Sequence, residues 1–368
     1  MIHLSVIVPV HNEAEHIEYV LDRLLAQQYE HNKLEILVVD GFSTDATPRI
    51  VQEYAQKHPN IVRYFENPKR LSSAARNIGI KNANGEAVLI VDGHCIIDND
   101  DMLLRVDEAF EKSGADCLGR PQPLEMKEAT SLQWAIATAR RSPLGHHPDS
   151  FIYSGQAQFS PASSVAVAYR MSVFEKVGYF DENFDACEDV EFNTRIDAAG
   201  LKCWFEPSIA VRYVPRKTLK GLRTQMIRYG RGRVRLWRKH RHTASWKSFA
   251  PGLFVFGFLV ITLLAFCASI VSAFFQANPA AMPIFISLPF LLVVLTEFAG
   301  LMLYLLYPII IIAESARLAI QQKHPGIFRF LPSVFANIHI AYGWGILREF
   351  FFPKCRTGDG STEQNRNL

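Results

Sequence analysis

Val88-Leu89-Ile90-Val91-Asp92-Gly93-His94 is the stretch on which the fold turns. Four apolar residues run straight into an acid, a glycine and a histidine. A run so short and so sharply bounded suits a buried parallel strand better than a helix. Asp92 and His94 then fall at the strand's carboxyl end, where open α/β sheets collect their ligands. Gly93 lets the backbone turn and pass close to something bulky. A carboxylate and an imidazole two residues apart can face one divalent cation, which would draw in a diphosphate. The same residues also describe a plain Asp-Gly turn carrying a surface histidine, so the surrounding chain has to decide.

Upstream, strands and helices alternate. Leu4 to Val10 is a strand followed by His11, Asn12 and Glu13, and Asn12 with Glu15 forms a capping box for a helix through about Gln27. Leu34 to Val39 is a strand ending in Asp40, followed by the turn-rich Gly41-Phe42-Ser43-Thr44-Asp45 and a helix to about Lys57. Ile61 to Phe65 is a third strand, and Ser72 or Ser73 caps a helix carrying Arg76 and Asn77. Such alternation implies right-handed crossovers and an α/β domain with a mostly parallel sheet. Asp40 and Asp92 both end strands, with Pro9 and Asn12 on the same rim, so the acids share a cleft. No G-x-G-x-x-G follows the first strand and no Walker sequence occurs, which argues against a dehydrogenase and a P-loop enzyme. Acids at several strand ends suit a nucleotide held through hydroxyl and N–H groups, with its diphosphate on a metal.

Downstream, residues 115–119 read as a strand and 129–141 as a helix. The loop 142–163 is long and rich in Pro and Gly, as lids and acceptor-binding segments are. His146 and His147 within it read as solvated. Residues 164–169 form a strand, and Arg170 opens a helix. Glu188 and Asp189 stand in the first turn of another helix, where the macrodipole favours anions. Residues 202–206 and 209–214 read as strands, and a helix starts at about Thr218.

The composition is split along the chain. Of 368 residues, 49% are hydrophobic and the net charge is +3, but residues 1–245 read as soluble protein and 249–352 as a membrane segment series. The cations crowd between Arg212 and Lys247. Arg228, Arg231, Arg233, Arg235, Arg238, Lys239 and Arg241 lie just before an apolar run, so they read as a polybasic juxtamembrane helix, with no nucleic-acid partner. Residues 249–275 are long enough to span a bilayer, and Asn278 with Pro279 makes an outer turn. Residues 282–313 exceed one span, so they are tilted, kinked at Pro289 or Pro308, or split near Glu297. Residues 327–352 read as an interfacial or re-entrant helix, with a third span as the alternative, and 353–368 as a polar tail. Positive charge inside places the first 240 residues in the cytosol, on a multi-pass protein of the cell (inner) membrane. The early apolar run Leu4–Val10 is too short and lacks the basic lead of a leader. The six cysteines are scattered and read as reduced thiols, neither a disulfide framework nor a zinc site.

Taken together, Val8-Pro9-Val10-His11-Asn12-Glu13, Val38-Val39-Asp40-Gly41-Phe42-Ser43-Thr44-Asp45, Ala74-Ala75-Arg76-Asn77 and Val91-Asp92-Gly93-His94 resemble the successive signatures of family 2 glycosyltransferases. These are inverting enzymes of GT-A fold, and the likeness covers about residues 1–240. The layout, membrane tail included, is similar to that of bacterial exopolysaccharide transferases of the succinoglycan type. The resemblance implies a nucleotide-sugar donor, UDP-linked first, with Asp40 on the uracil ring and Pro9, Asn12 and Glu13 lining that pocket. It places Arg76 and Asn77 near the donor phosphates and Asp92 at the ribose and the metal. The chain offers His94 where the family's D-x-D has its second acid, so the cofactor is a divalent metal, manganese better suited than magnesium. The family's Glu-Asp motif falls on Glu188 and Asp189, making Asp189 the general base, with Glu188 at the acceptor. Gln225, Arg228 and Tyr229 resemble the Gln-x-x-Arg-Trp motif of processive synthases, with Tyr for Trp, and imply contact with a lipid-linked saccharide at the membrane. Two alternatives stand beside this reading: a polyprenyl-phosphate glycosyltransferase, and a catalytically silent nucleotide-binding membrane scaffold.

Overall fold

A computed structural model describes residues 1–146, 151–277 and 287–353. The chain divides into two compact units, one of residues 1–129 and 151–215, the other of 130–146 and 216–353. The helix expected to close the catalytic domain, and the segment from Thr130, thus group with the apolar helices.

In the first unit, β1 (Leu4–Val10), α1 (Ile17–Leu25), β2 (Leu34–Asp40), α2 (Thr47–Lys57), β3 (Val62–Glu66), α3 (Ser72–Asn82) and β4 (Ala87–Ile90) alternate as expected. Then come β5 (Cys95–Ile96), α4 (Met102–Ser113) and β6 (Cys117–Gly119). After α5 (Ser131–Arg141), which belongs to the second unit, follow β7 (Gln158–Phe159), α6 (Ala162–Val165), β8 (Ala166–Arg170), α7 (Met171–Val177), α8 (Glu188–Ala198), β9 (Cys203–Phe205) and β10 (Arg212–Tyr213). The main sheet runs β3-β2-β1-β4-β8-β6-β9-β7. Only β8 and β7 run against the other strands, so the sheet is mostly parallel.

Both faces of the sheet are covered. Leu4, Val6, Val8 and Val10 of β1 join a core with α1, α2 and α4. Ile7 points the other way, into a core with Ile80 of α3, Phe174 of α7 and Phe192 of α8. This explains why β1, β2 and β4 read as nearly continuous apolar runs, interrupted only by Ser5, Glu35 and the terminal Asp40. It also puts the carboxyl ends of β2, β1 and β4 side by side on one rim.

Several local expectations shift. Asn12 makes no capping box: it takes a left-handed φ of 54°, and α1 starts only at Ile17. The Asn12 side-chain oxygen accepts from Thr44 N at 2.8 Å instead. Neither Ser72 nor Ser73 caps α3, whose cap is Leu71. The strand expected at 164–169 divides into α6 and β8, and the one at 209–214 keeps only Arg212–Tyr213. Helix α4, not assigned from sequence, has its signature in Met102, Leu103, Val106, Ala109 and Phe110, all buried on one face.

In the second unit, α9 (Leu219–Lys239) is capped by Thr218, whose hydroxyl accepts from Gly221 N. It is followed by α10 (Trp246–Ala277), α11 (Ser287–Gln321) and α12 (Leu331–Phe351). Trp246–Val271 and Gly300–Gln321 are long and apolar enough to cross a membrane. The Thr262 and Ser269 hydroxyls bond back to Phe258 O and Ala265 O, so neither is left open on an apolar helix. α11 runs unbroken through Pro289 and Pro308, so the hairpin alternative near Glu297 falls away. The expected outer turn at Asn278 and Pro279, His147 and the tail 354–368 lie outside the described residues. α12 is a packed helix: a Cβ on Gly345 would stand 2.3 Å from Ile227 O of α9, and one on Gly230 of α9 2.1 Å from Tyr342 O. Two of the expected membrane-facing cations are also engaged within the unit. Arg231 and Arg235 of α9 pair with the buried Glu349 of α12, at 3.0 and 2.8 Å.

Candidate active site

The rim of the sheet holds the acids foreseen there. Asp40 is the last residue of β2 and stands in register with Val10. Its carboxylate is buried and accepts from the Ser43 amide at 3.1 Å and the Ser43 hydroxyl at 2.5 Å. Tyr64 donates to it at 3.3 Å, and burial together with the Asp40 charge pushes that phenol up to about 12. Asn12 shapes the same corner: its amide donates to Ser43 Oγ at 2.8 Å. The Gly41-to-Asp45 turn is thus tied to β1 on one side and to the Asp40 carboxylate on the other.

Two strands along, Asp92 follows β4. Its Oδ2 accepts from the Tyr213 hydroxyl at 2.9 Å. Gly93 is required by close packing against β1, since a Cβ there would lie 2.7 Å from Val10 Cγ1. His94 turns to Glu13: its Nδ1 lies 2.9 Å from Glu13 Oε1. Because a carboxylate only accepts, Nδ1 carries the proton of this contact. Glu13, expected beside the base, is therefore the orienting partner of His94.

Among the described residues, no three His, Cys, Asp or Glu side chains converge as a metal cage. A Mg²⁺- or Mn²⁺-type ion held by one or two protein groups completes its shell with substrate phosphates and water. The carboxylate behind His94 is the orienting partner that a ligating imidazole has in metal sites.

Across the cleft, Arg76 of α3 is the point of convergence. Its Nη1 lies 3.1 Å from Glu188 Oε1, and its guanidinium stands 5.3 Å over the Phe180 ring. Burial works against its charge, but the carboxylates of Glu188, Asp189 and Asp92 outweigh it and hold the guanidinium protonated.

The turn into α8 separates the two neighbouring acids. Cys187 before it takes a left-handed φ of 61°. Glu188 is buried, and its carboxyl is pushed up by burial and by Asp189 against the pull of Arg76. It faces Arg76. Asp189 is exposed, with Oδ1 accepting from Val190 N at 2.8 Å.

Asn77 is also reassigned. It is buried, its amide donates to Phe180 O and Glu182 Oε1 at 2.9 Å each, and its oxygen accepts from Phe180 N at 2.9 Å. With its hydrogen-bonding capacity used, it ties α3 to the segment before α8 and leaves nothing for a phosphate. Pro9, within β1, lies in register with Val39. Gln225, Arg228 and Tyr229 all lie on α9 in the second unit, with Gln225 Nε2 donating to Tyr229 Oη at 3.0 Å. Nothing in the sequence marks Tyr213 as the partner of Asp92.

Comparison with known proteins gives the family and the fold. Residues 5–178 match the pattern described as glycosyl transferase family 2, and 97–311 that of glycosyl transferase family group 2. The succinoglycan biosynthesis protein ExoA of Rhizobium meliloti (strain 1021) is 29% identical over 248 residues, 67% of this chain and 73% of that protein. A Methanococcus voltae enzyme is 29% identical over 263 residues, 71% of this chain and 80% of its own. Its name is dolichyl N-acetyl-alpha-D-glucosaminyl phosphate 3-beta-D-2,3-diacetamido-2,3-dideoxy-beta-D-glucuronosyltransferase. Among solved structures, a Pyrobaculum calidifontis mannosyltransferase in complex with GDP-Man and Mn²⁺ aligns with a TM-score of 0.56 at 21% identity. That alignment covers 94% of this chain and 87% of the other, and shows a shared GT-A-like fold.

Proposed function

The chain belongs to glycosyl transferase family group 2, and from that premise we propose a membrane-anchored inverting enzyme. It moves one sugar from a nucleoside diphosphate sugar, UDP-linked first, to a lipid-linked saccharide at the cytosolic face of the cell membrane. The observation that carries this reading is the Arg76–Glu188 contact at 3.1 Å, which fixes a largely buried cation directly before the exposed Asp189, with Asp92 just past the end of β4. One acid closes the strand that would meet a diphosphate, and the other is exposed at a helix start where an acceptor hydroxyl could reach it. The relatives' names, with succinoglycan in one and a dolichyl-linked sugar in the other, support a role in surface or lipid-linked glycans.

In this reading the donor lies along the rim. Asp40 holds the base, with Pro9 beneath and Asn12 fixing the turn. Asp92 and His94, oriented by Tyr213 and Glu13, would hold a divalent cation that neutralises the charge gathering on the departing diphosphate. Arg76 adds a fixed positive charge to the same region. Asp189 takes the proton of the acceptor hydroxyl as it attacks the anomeric carbon from the face opposite the leaving group. The transfer is a single displacement, so no covalent nucleophile is required. Residues 1–240 form the catalytic region, 249–352 the membrane region, and α9 presents Gln225, Arg228 and Tyr229 to the lipid-linked acceptor.

The test uses the purified full chain in detergent with a panel of nucleotide sugars and Mn²⁺. Each donor is offered with a lipid-linked saccharide and with bare polyprenyl phosphate. The reading expects one-sugar extension of the saccharide with inversion at the anomeric carbon. Transfer to the bare phosphate alone would make the chain a polyprenyl-phosphate transferase. Nucleotide binding without transfer or hydrolysis would leave only a scaffold.

A further inference from the structure

Arg120 is among the largest fully buried side chains, 1% exposed, and no candidate role has used it. It follows β6, yet its Nη2 donates at 3.1 Å to Ile90 O at the end of β4. β8 lies between those strands in the sheet and starts only at Ala166, which pairs with Gly119. The side chain therefore crosses the start of β8 along the rim and ends two residues before Asp92.

Its electrostatic position is unusual. Nε and Nη1 have no hydrogen-bonding partner, and no carboxylate lies within ion-pair distance of it among the described residues. A buried cation without a partner is costly, so such a group implies a compensating anion. Asp92 follows two residues beyond the Ile90 carbonyl that Arg120 holds, at the same strand end.

We propose that Arg120 is a positioning residue of the donor site: it braces the β4 end through Ile90 and supplies the buried positive charge beneath Asp92 and an incoming diphosphate. It is enclosed, so it acts through Asp92 and through its field, without touching the ligand. In a low-dielectric interior that field is weakly screened. The inference rests on the proposed donor site along this rim.

The experiment compares Arg120→Gln and Arg120→Lys with the parent, full chain in detergent, by calorimetric titration with UDP and GDP and by thermal melting. Gln keeps an N–H for the Ile90 carbonyl and removes the charge; Lys keeps the charge and gives up the planar fork. The proposal expects Arg120→Gln to melt within a few degrees of the parent, since among the described residues the guanidinium has no ion-pair partner for its loss to strand. Its dissociation constant for the nucleotide that the parent binds should rise ~10-fold or more, as for loss of a charged interaction. Arg120→Lys should recover most of that affinity. Parent-like affinity in Arg120→Gln, failure of that variant to fold, or a Lys variant as weak as the Gln one each overturns the proposal. A parent that binds neither nucleotide overturns the donor site itself, and this inference with it.

Discussion

Arg76 Nη1 and Glu188 Oε1 stand 3.1 Å apart, with both side chains 12% exposed, directly before the exposed Asp189. The pair divides two adjacent acids by environment alone. Glu188 is taken into the wall of the cleft, while Asp189 stays where a hydroxyl could meet it. The same guanidinium links α3 to α8, and Asn77, one residue on, links α3 to Phe180 in the segment before it.

Glu188→Gln should therefore act on stability before acceptor binding. Removing one partner of a buried pair leaves the other uncompensated, typically a loss of about 3–5 kcal/mol. Asp189 and Asp92 still face Arg76, which puts this case at the lower end, about 3 kcal/mol. Thermal melting should fall accordingly, with an unchanged acceptor KM in the protein that remains folded. A raised KM at parental stability would return Glu188 to the acceptor.

Glu349 sets a pH dependence in the second unit. Burial pushes its carboxyl up, but Arg235 and Arg231 outweigh burial, and the folded value ends below the ordinary one. Stability from this group is then full above the unfolded carboxylate value and is lost as pH falls through the lower folded value. At neutral pH Glu349→Gln should melt well below the parent. The gap should narrow steadily on acidification below about pH 4.3, the ordinary Glu value. A gap that stays constant to pH 3 would show that the triad's charge contributes nothing.

How much of this was legible follows the range of the interactions. The strands β1, β2 and β4 and the acids at their ends could be read because periodicity and strand ends are local. Pairings between distant segments could not. Tyr213 meets Asp92 across 121 residues, and Arg231 meets Glu349 across 118. No window of sequence contains both partners, so α9 read as a wholly membrane-facing cationic helix. Asn12 failed for a related reason: a sound local capping pattern lost to the Thr44 amide 32 residues away. Glu188 and Asp189 read as a pair because nothing in their spacing says that one points inward.

The His94–Glu13 contact leads to a metal prediction. Chelation should abolish transfer, and manganese should restore it better than magnesium, since imidazole is the softer ligand. Glu13→Gln should weaken Mn²⁺ binding in the presence of UDP by ~10–100-fold, the usual effect of losing an orienting carboxylate. Electron paramagnetic resonance of Mn²⁺ reads this without turnover. Equal Mn²⁺ affinity in the variant would remove Glu13 from that role, and full activity after exhaustive metal removal would remove the cation site.

The central claim is that Asp189 is the base and that its charge is needed for chemistry, not for holding the donor. Single-turnover transfer by Asp189→Asn, measured beside UDP affinity on the same preparation, tests it most directly. A positioned base contributes ~10²–10⁴ in rate. The account predicts a rate reduced ~10²-fold or more at nearly parental UDP affinity and melting temperature. A transfer rate equal to the parent's at saturating donor and acceptor would contradict it.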